Sequence, residues 1–123
     1  NNAAGYDLTL ANSDATLTLV NGANTIGAHA GTYAAPTALA NNTWGYAVGG
    51  LGSFDASYTT LTNATTSTTK WSGVPSSASP QNIKSTATVA SGDTTTVWYA
   101  VKADTTKPNG VYTDTVTYTA TTK

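Results

Sequence analysis

The strongest pattern in the chain runs from Thr94 to Ala120, TTTVWYAVKADTTKPNGVYTDTVTYTA. Two stretches of apolar–polar alternation flank a segment of turn-forming residues. In the first, Val97, Tyr99 and Val101 fall on one face, and Trp98, Ala100 and Lys102 on the other. In the second, Tyr112, Val116, Tyr118 and Ala120 share a face opposite Thr113, Thr115, Thr117, Thr119 and Thr121. Side chains two apart point the same way along a strand, so each stretch predicts a strand with one apolar face. Pro108 fixes its own φ and Gly110 is free to take φ > 0, so the joining DTTKPNG reads as a hairpin loop.

The same alternation recurs upstream. Tyr6, Leu8 and Leu10 alternate with Asp7, Thr9 and Ala11, which predicts a first strand. Leu17 and Leu19 mark a second over Ala15 to Val20, expected to pair with the first as a hairpin or to pass the chain to a second sheet. Asn21-Gly22 is a strong turn dipeptide. Asn24 to Pro36 reads as an irregular strand or loop. Thr43 to Val48 is a strand core with Trp44, Tyr46 and Val48 in register. Ser53 to Lys70 is a Thr-rich connection, close to low complexity over Thr59 to Thr69. Trp71 to Pro75 reads as a turn around an aromatic anchor. Alternation returns from Asn82 to Val89. About seven to nine short strands, with turn signals roughly every eight to twelve residues, predict an all-β fold. The expected form is a single antiparallel β-sandwich over residues 1–123, immunoglobulin-like or related.

Composition sharpens this picture by what it omits. The chain has no Cys and no Met, and its charge rests on five Lys and six Asp. Charged residues make up 9%, against about 25% in an ordinary domain, so solubility must come from hydroxyls and amides. Hydrophobic residues at 39%, with three Trp and seven Tyr, still suffice for a packed core. A formal net charge of −1 excludes the basic footprint of a nucleic-acid binder. No apolar run approaches the roughly 20 residues of a membrane-spanning helix, so no membrane insertion is expected in this segment. A coat of Thr, Ser and Asn favours an extracellular location.

Three motifs carry a resemblance. Gly5-Tyr6-Asp7-Leu8-Thr9-Leu10, Asn42-Thr43-Trp44-Gly45-Tyr46 and Thr96-Val97-Trp98-Tyr99-Ala100-Val101-Lys102 resemble Thr-rich cell-surface modules of Saccharibacteria and related small-genome bacteria. The closing run from Lys107 to Ala120 is more distantly similar to the last strand of spore-coat-U-like fimbrial subunits, although the disulfide frequent in those subunits is absent. These resemblances imply a β-sandwich at the bacterial surface, as one module of a longer protein or filament. The implied partners are neighbouring modules or subunits; host or cell-surface glycans are the partners expected if exposed aromatics bind sugar. The fimbrial likeness also implies that strands of neighbouring subunits pair.

The candidate chemistry is sparse. His29 stands without a local carboxylate or an activated nucleophile, and a zinc site lacks further His or Cys. No metal and no cofactor is expected. The Asp residues are best explained by turns, except Asp114, which shares the apolar face of the last strand and must find donors if that face is buried. An amide crosslink joining Lys84 or Lys102 to Asp114 is one candidate modification. Asn41 and Asn63 head N-glycosylation sequons. Trp71 and Trp98, with Tyr58, are candidates for a sugar-stacking platform, which requires aromatics exposed on one flat face. Trp44 belongs instead with the core. The expectation is a non-enzymatic structural or adhesive module, with carbohydrate binding as the alternative.

Overall fold

A computed structural model describes residues 3–54, 58 and 69–123. The Asn63 sequon, Asp55 and nearly all of the Thr59–Thr69 segment lie outside the described residues. The fold is all-β, with two sheets in a sandwich-like arrangement, the larger one curled. Its strands are β1 (Tyr6–Asn12), β2 (Leu19–Asn21), β3 (Asn24–Ala28), β4 (Thr43–Val48), β5 (Gln81–Ser85), β6 (Val97–Lys102) and β7 (Val116–Thr122). One sheet has the order β5-β1-β7 and is antiparallel throughout. The other has the order β2-β3-β4-β6, with β3 and β4 parallel.

Alternation decides the core. Leu10, Ile26, Trp44, Tyr46, Val48, Val74 and Ile83 form the cluster between the sheets, with Leu8, Leu19, Val97, Tyr112 and Val116 packed against it. The sequence expectation for Trp44, Tyr46 and Val48 therefore holds. β4 is buried along almost its whole length because it is covered on both faces. Ala47, on its outer face, joins Tyr58 and Trp71 in a second cluster, against which Trp98 and Ala100 pack.

Strand pairing takes the second of the two courses left open for the Ala15–Val20 strand, passage to the other sheet, and departs from expectation in the closing hairpin. β1 does not pair with the next strand, because its two edges are occupied by β5 and β7. Of the stretch Ala15 to Val20, only Leu19 and Val20 enter a strand, and β2 turns at Asn21-Gly22 to pair with β3 in the other sheet. Asn21 pairs with Asn24, so Gly22 and Ala23 make the two-residue turn, and Gly22 takes φ +59 in it. Likewise β6 and β7 form no hairpin: β6 pairs with β4, and β7 with β1. The chain leaving β6 is tied to the far end of the curled sheet. Asp104 accepts from Asn42 Nδ2 (2.9 Å), and Lys107 Nζ donates to the Thr25 carbonyl (2.7 Å). Thr113 then exchanges backbone hydrogen bonds with Val20 before the chain crosses into β7.

The segment read as a turn around Trp71 is instead an edge partner. Trp71 exchanges backbone hydrogen bonds with Thr37, and Ser72 does so with Tyr46 of β4. The approach is so close that a Cβ on Gly73 would collide with the His29 carbonyl, which explains a glycine there. Alternation over Asn82 to Val89 ends as a strand at Ser85, because Thr86 turns to bond the Tyr6 backbone from both N–H and hydroxyl, and Val89 lies exposed. Asn24 to Ala28, expected to be irregular, is the regular strand β3.

Candidate functional site

The feature that stands out is an apolar cleft between the free edges of β6 and β7. Backbone bonding shows why those edges are free. Gly49 N–H donates to the Thr96 carbonyl, so Thr96, Trp98, Ala100 and Lys102 turn their backbone groups toward β4. Those of Val97, Tyr99 and Val101 then point away from it. On the other sheet Ser13 N–H donates to Thr115, and Lys123 N–H to Gly5, so the odd-numbered residues of β7 serve β1. Val116, Tyr118, Ala120 and Thr122 present their N–H and C=O groups outward. Among the described residues no other strand pairs with either edge.

Between these edges lies a cavity of about 490 Å³ lined by Leu19, Trp44, Tyr99, Val101, Val116 and Tyr118, with Asp114 among its walls. A neighbouring cavity shares Leu19 and Val101 and continues past Ile26 to Tyr112. The cleft carries much of the exposed apolar surface: Tyr99 and Tyr118 are each 43% exposed and Val101 is 55% exposed. The ring of Tyr99 stacks on Trp44 at 6.4 Å. Its hydroxyl meets that of Tyr118 at 2.5 Å, bridging the two sheets. Burial pushes both phenols above the usual tyrosine range, and for Tyr99 the hydrogen bond to Tyr118 adds to the rise.

Asp114 finds the donors its position demands. Asn12 Nδ2 donates to it at 2.6 Å and the Thr115 N–H at 2.7 Å. Asn12 is itself buried and accepts from the Asp14 N–H, so the pair pins the start of β7 against the end of β1. Neither lysine considered for a crosslink bonds to Asp114. Lys84 Nζ pairs with Asp93 at 2.5 Å, where Tyr6 also donates, and Lys102 Nζ donates to the Leu39 carbonyl. Lys84, followed by Tyr6, holds the Asp93 carboxyl below the usual carboxylate range.

The three aromatics considered for a sugar platform do come together, but facing inward. Tyr58 and Trp71 are 0% and 5% exposed and meet edge to face at 5.1 Å. Half-buried Trp98 tilts against Tyr58 and donates its indole N–H to the Tyr58 carbonyl at 3.0 Å. They share no flat exposed face. Asn41 sits exposed in the turn before β4, beside Asn42 at φ +58.

His29 is buried next to β4. The Ala40 N–H can only donate to Nδ1 (3.4 Å), which leaves Nε2 to carry the proton and donate to the Thr37 hydroxyl (2.9 Å). Burial lowers its pKa. Among the described residues no three His or Asp side chains gather into a metal-holding group, and no helix is long and apolar enough to cross a membrane.

The cleft was missed in the sequence because its walls come from strands expected to form one hairpin. The visible trace of it was the charge-poor run over β7. No protein-family model matches the chain, nor does any curated protein or solved structure.

Proposed function

We propose that this chain is a non-enzymatic structural or adhesive module of an extracellular bacterial surface protein or pilus-like filament, and that it joins its neighbours by β-strand pairing. The observation that carries this reading is the apolar cleft flanked by the unpaired edges of β6 and β7. Unpaired N–H and C=O rows are templates for another strand, and native edges are normally blunted by charge, proline or a covering element. Among the described residues, Val97, Tyr99 and Val101 on one side, and Val116, Tyr118 and Ala120 on the other, have none of these. Main-chain bonding along such an edge supplies affinity, and the apolar positions behind it supply selectivity. The likeness of three motifs to Thr-rich surface modules supports the location, and the low-charge hydroxyl exterior agrees with it. Of the aromatics considered for a carbohydrate platform, only Trp98 keeps appreciable exposure, which leaves that alternative with less support.

Light scattering across a range of protein concentrations tests this reading. Concentration-dependent oligomers or fibres are expected, and Val101→Lys or Tyr118→Lys should suppress them by placing a charge in the cleft. A chain that stays monomeric at every concentration, with the same behaviour in both variants, would count against it.

A further inference from the structure

We infer that β7 is a self-pairing edge, and that its partner is β7 of a second copy, antiparallel, with the two-fold axis at Thr119. This deepens the strand-pairing reading and rests on it. Four edges are available in the two sheets, and three are less suited. β5 is five residues long, its register with β1 is interrupted between Leu8 and Thr9, and the Lys84–Asp93 ion pair lies against it. β2 is three residues long and is closed at Val20 by Thr113. β6 offers three outward positions and ends on Lys102. β7 is seven residues long and offers four.

Among the described residues, the charges that flank β7 are both tied within their own molecule: the Asp114 carboxylate accepts from Asn12 Nδ2 and the Thr115 N–H ahead of the strand, and the lysine beyond its end is turned away from the edge. Lys123 Nζ folds back over its own sheet, onto Asp7 (3.1 Å), the Ser85 hydroxyl (2.5 Å) and the Thr86 carbonyl (2.9 Å). It therefore does not act as the lysine that commonly guards an exposed edge.

The strand is also complementary to itself. With Thr119 on the axis, Val116 lies opposite Thr122 and Tyr118 opposite Ala120. These are the residues whose backbone groups point outward, so every outward N–H and C=O of the strand finds a partner. Thr117 then faces Thr121, and Thr119 faces its own copy, which sets β-branched hydroxyl pairs along the solvent face, a favourable cross-strand combination. On the inner face Tyr118 packs over the small Ala120 of the other copy, so no bulky pair collides. The result is a continuous six-stranded sheet, β5-β1-β7 followed by its copy in reverse, and a closed pair of the isologous kind. The β6 edge is left for a different contact.

The absence of Cys makes engineered disulfides a clean probe. In the proposed register the two copies of Thr119 form a non-hydrogen-bonded pair, with Cα atoms about 4.5 Å apart, within disulfide reach. The Thr119→Cys variant of the whole chain should form covalent dimers under mild oxidation. Thr117→Cys alone should not, yet should crosslink when mixed with Thr121→Cys. Ala120→Pro removes an N–H that β1 does not use, so the monomer should keep its circular dichroism while dimerisation weakens by at least about tenfold. Oligomers that persist without crosslinking at Thr119, and without response to Ala120→Pro, would overturn the β7 pair while leaving strand pairing elsewhere intact. A chain that forms no oligomers would overturn both.

Discussion

The hydroxyls of Tyr99 and Tyr118 meet at 2.5 Å, joining β6 of one sheet to β7 of the other across an otherwise open cleft. Among the described residues, no strand-to-strand hydrogen bond links these two elements, so this contact helps set the width of the opening. Removing either hydroxyl, by Tyr99→Phe or Tyr118→Phe, should lower stability by about 0.5–1.5 kcal/mol in urea unfolding. The double variant should cost little more than either single one, because the first removal already breaks the bond.

The same pair predicts sensitivity to base. Both phenols have folded-state pKa values raised above the ordinary value of 10.0, chiefly by burial. Above that pH the unfolded chain loses protons that the folded chain retains, so stability is full below it and falls as pH rises further. Thermal midpoints should hold level up to about pH 9 and decline from about pH 10 upward, and the decline should be shallower in Tyr99→Phe. An equal slope in that variant would show that other groups govern alkaline unfolding.

His29 predicts sensitivity at the acid end. Its folded pKa is lowered from 6.5 by burial, although the contact with Thr37 partly opposes this. The unfolded chain therefore takes up a proton first as pH falls, so the stability this histidine contributes is present above about 6.5 and is lost below it. Protonating Nδ1 would also set a proton against the Ala40 N–H. The melting midpoint should drop between pH 7 and 5, and His29→Asn should flatten that interval whatever it does to absolute stability.

Tyr46 is completely buried, and its hydroxyl has no hydrogen-bond partner among the described residues. The nearby Ser72 hydroxyl turns its single proton toward the Gly31 and Gly73 carbonyls, the nearer being Gly73 at 3.1 Å. Burial pushes the phenol up to about 12. An unsatisfied buried hydroxyl costs on the order of 1–3 kcal/mol, so Tyr46→Phe should be neutral or stabilising by up to about that amount. Chemical denaturation of the two proteins side by side measures it, and a clear loss of stability would reveal a partner for the hydroxyl.

Gly73→Ala should be costly despite its small size. The added methyl would press on the His29 carbonyl, where backbone leaves no room to yield. A loss of about 1–3 kcal/mol is expected, as in other overpacked interiors. Gly22→Ala, at a turn glycine with open space around it, supplies the contrast: its cost should come from positive φ alone.

Legibility in the sequence differed from one element to the next. β1, β4, β6 and β7 were each visible in the alternation of large and small residues, and Asn21-Gly22 marked its turn. The inward set Trp44, Tyr46 and Val48 was equally plain. The place of Trp71 is not legible locally, because its burial depends on Ser72 pairing with Tyr46, 26 positions earlier in the chain, and nothing in Trp71-Ser72-Gly73 announces that partner. Asp114 was recognised as needing donors, but Asn12, which supplies one, lies 102 residues away.

What the amino-acid order determined alone was which residues extend and which side of each strand is apolar, because side-chain direction follows from a two-residue period and needs no partner. Which edge meets which was decided only in three dimensions. A strand offers the same backbone groups on its two edges, and a loop such as DTTKPNG serves equally to return beside its own strand or to cross to another sheet. The ties at Asp104, Lys107 and Thr113 selected the crossing, and by separating β6 from β7 they opened the cleft.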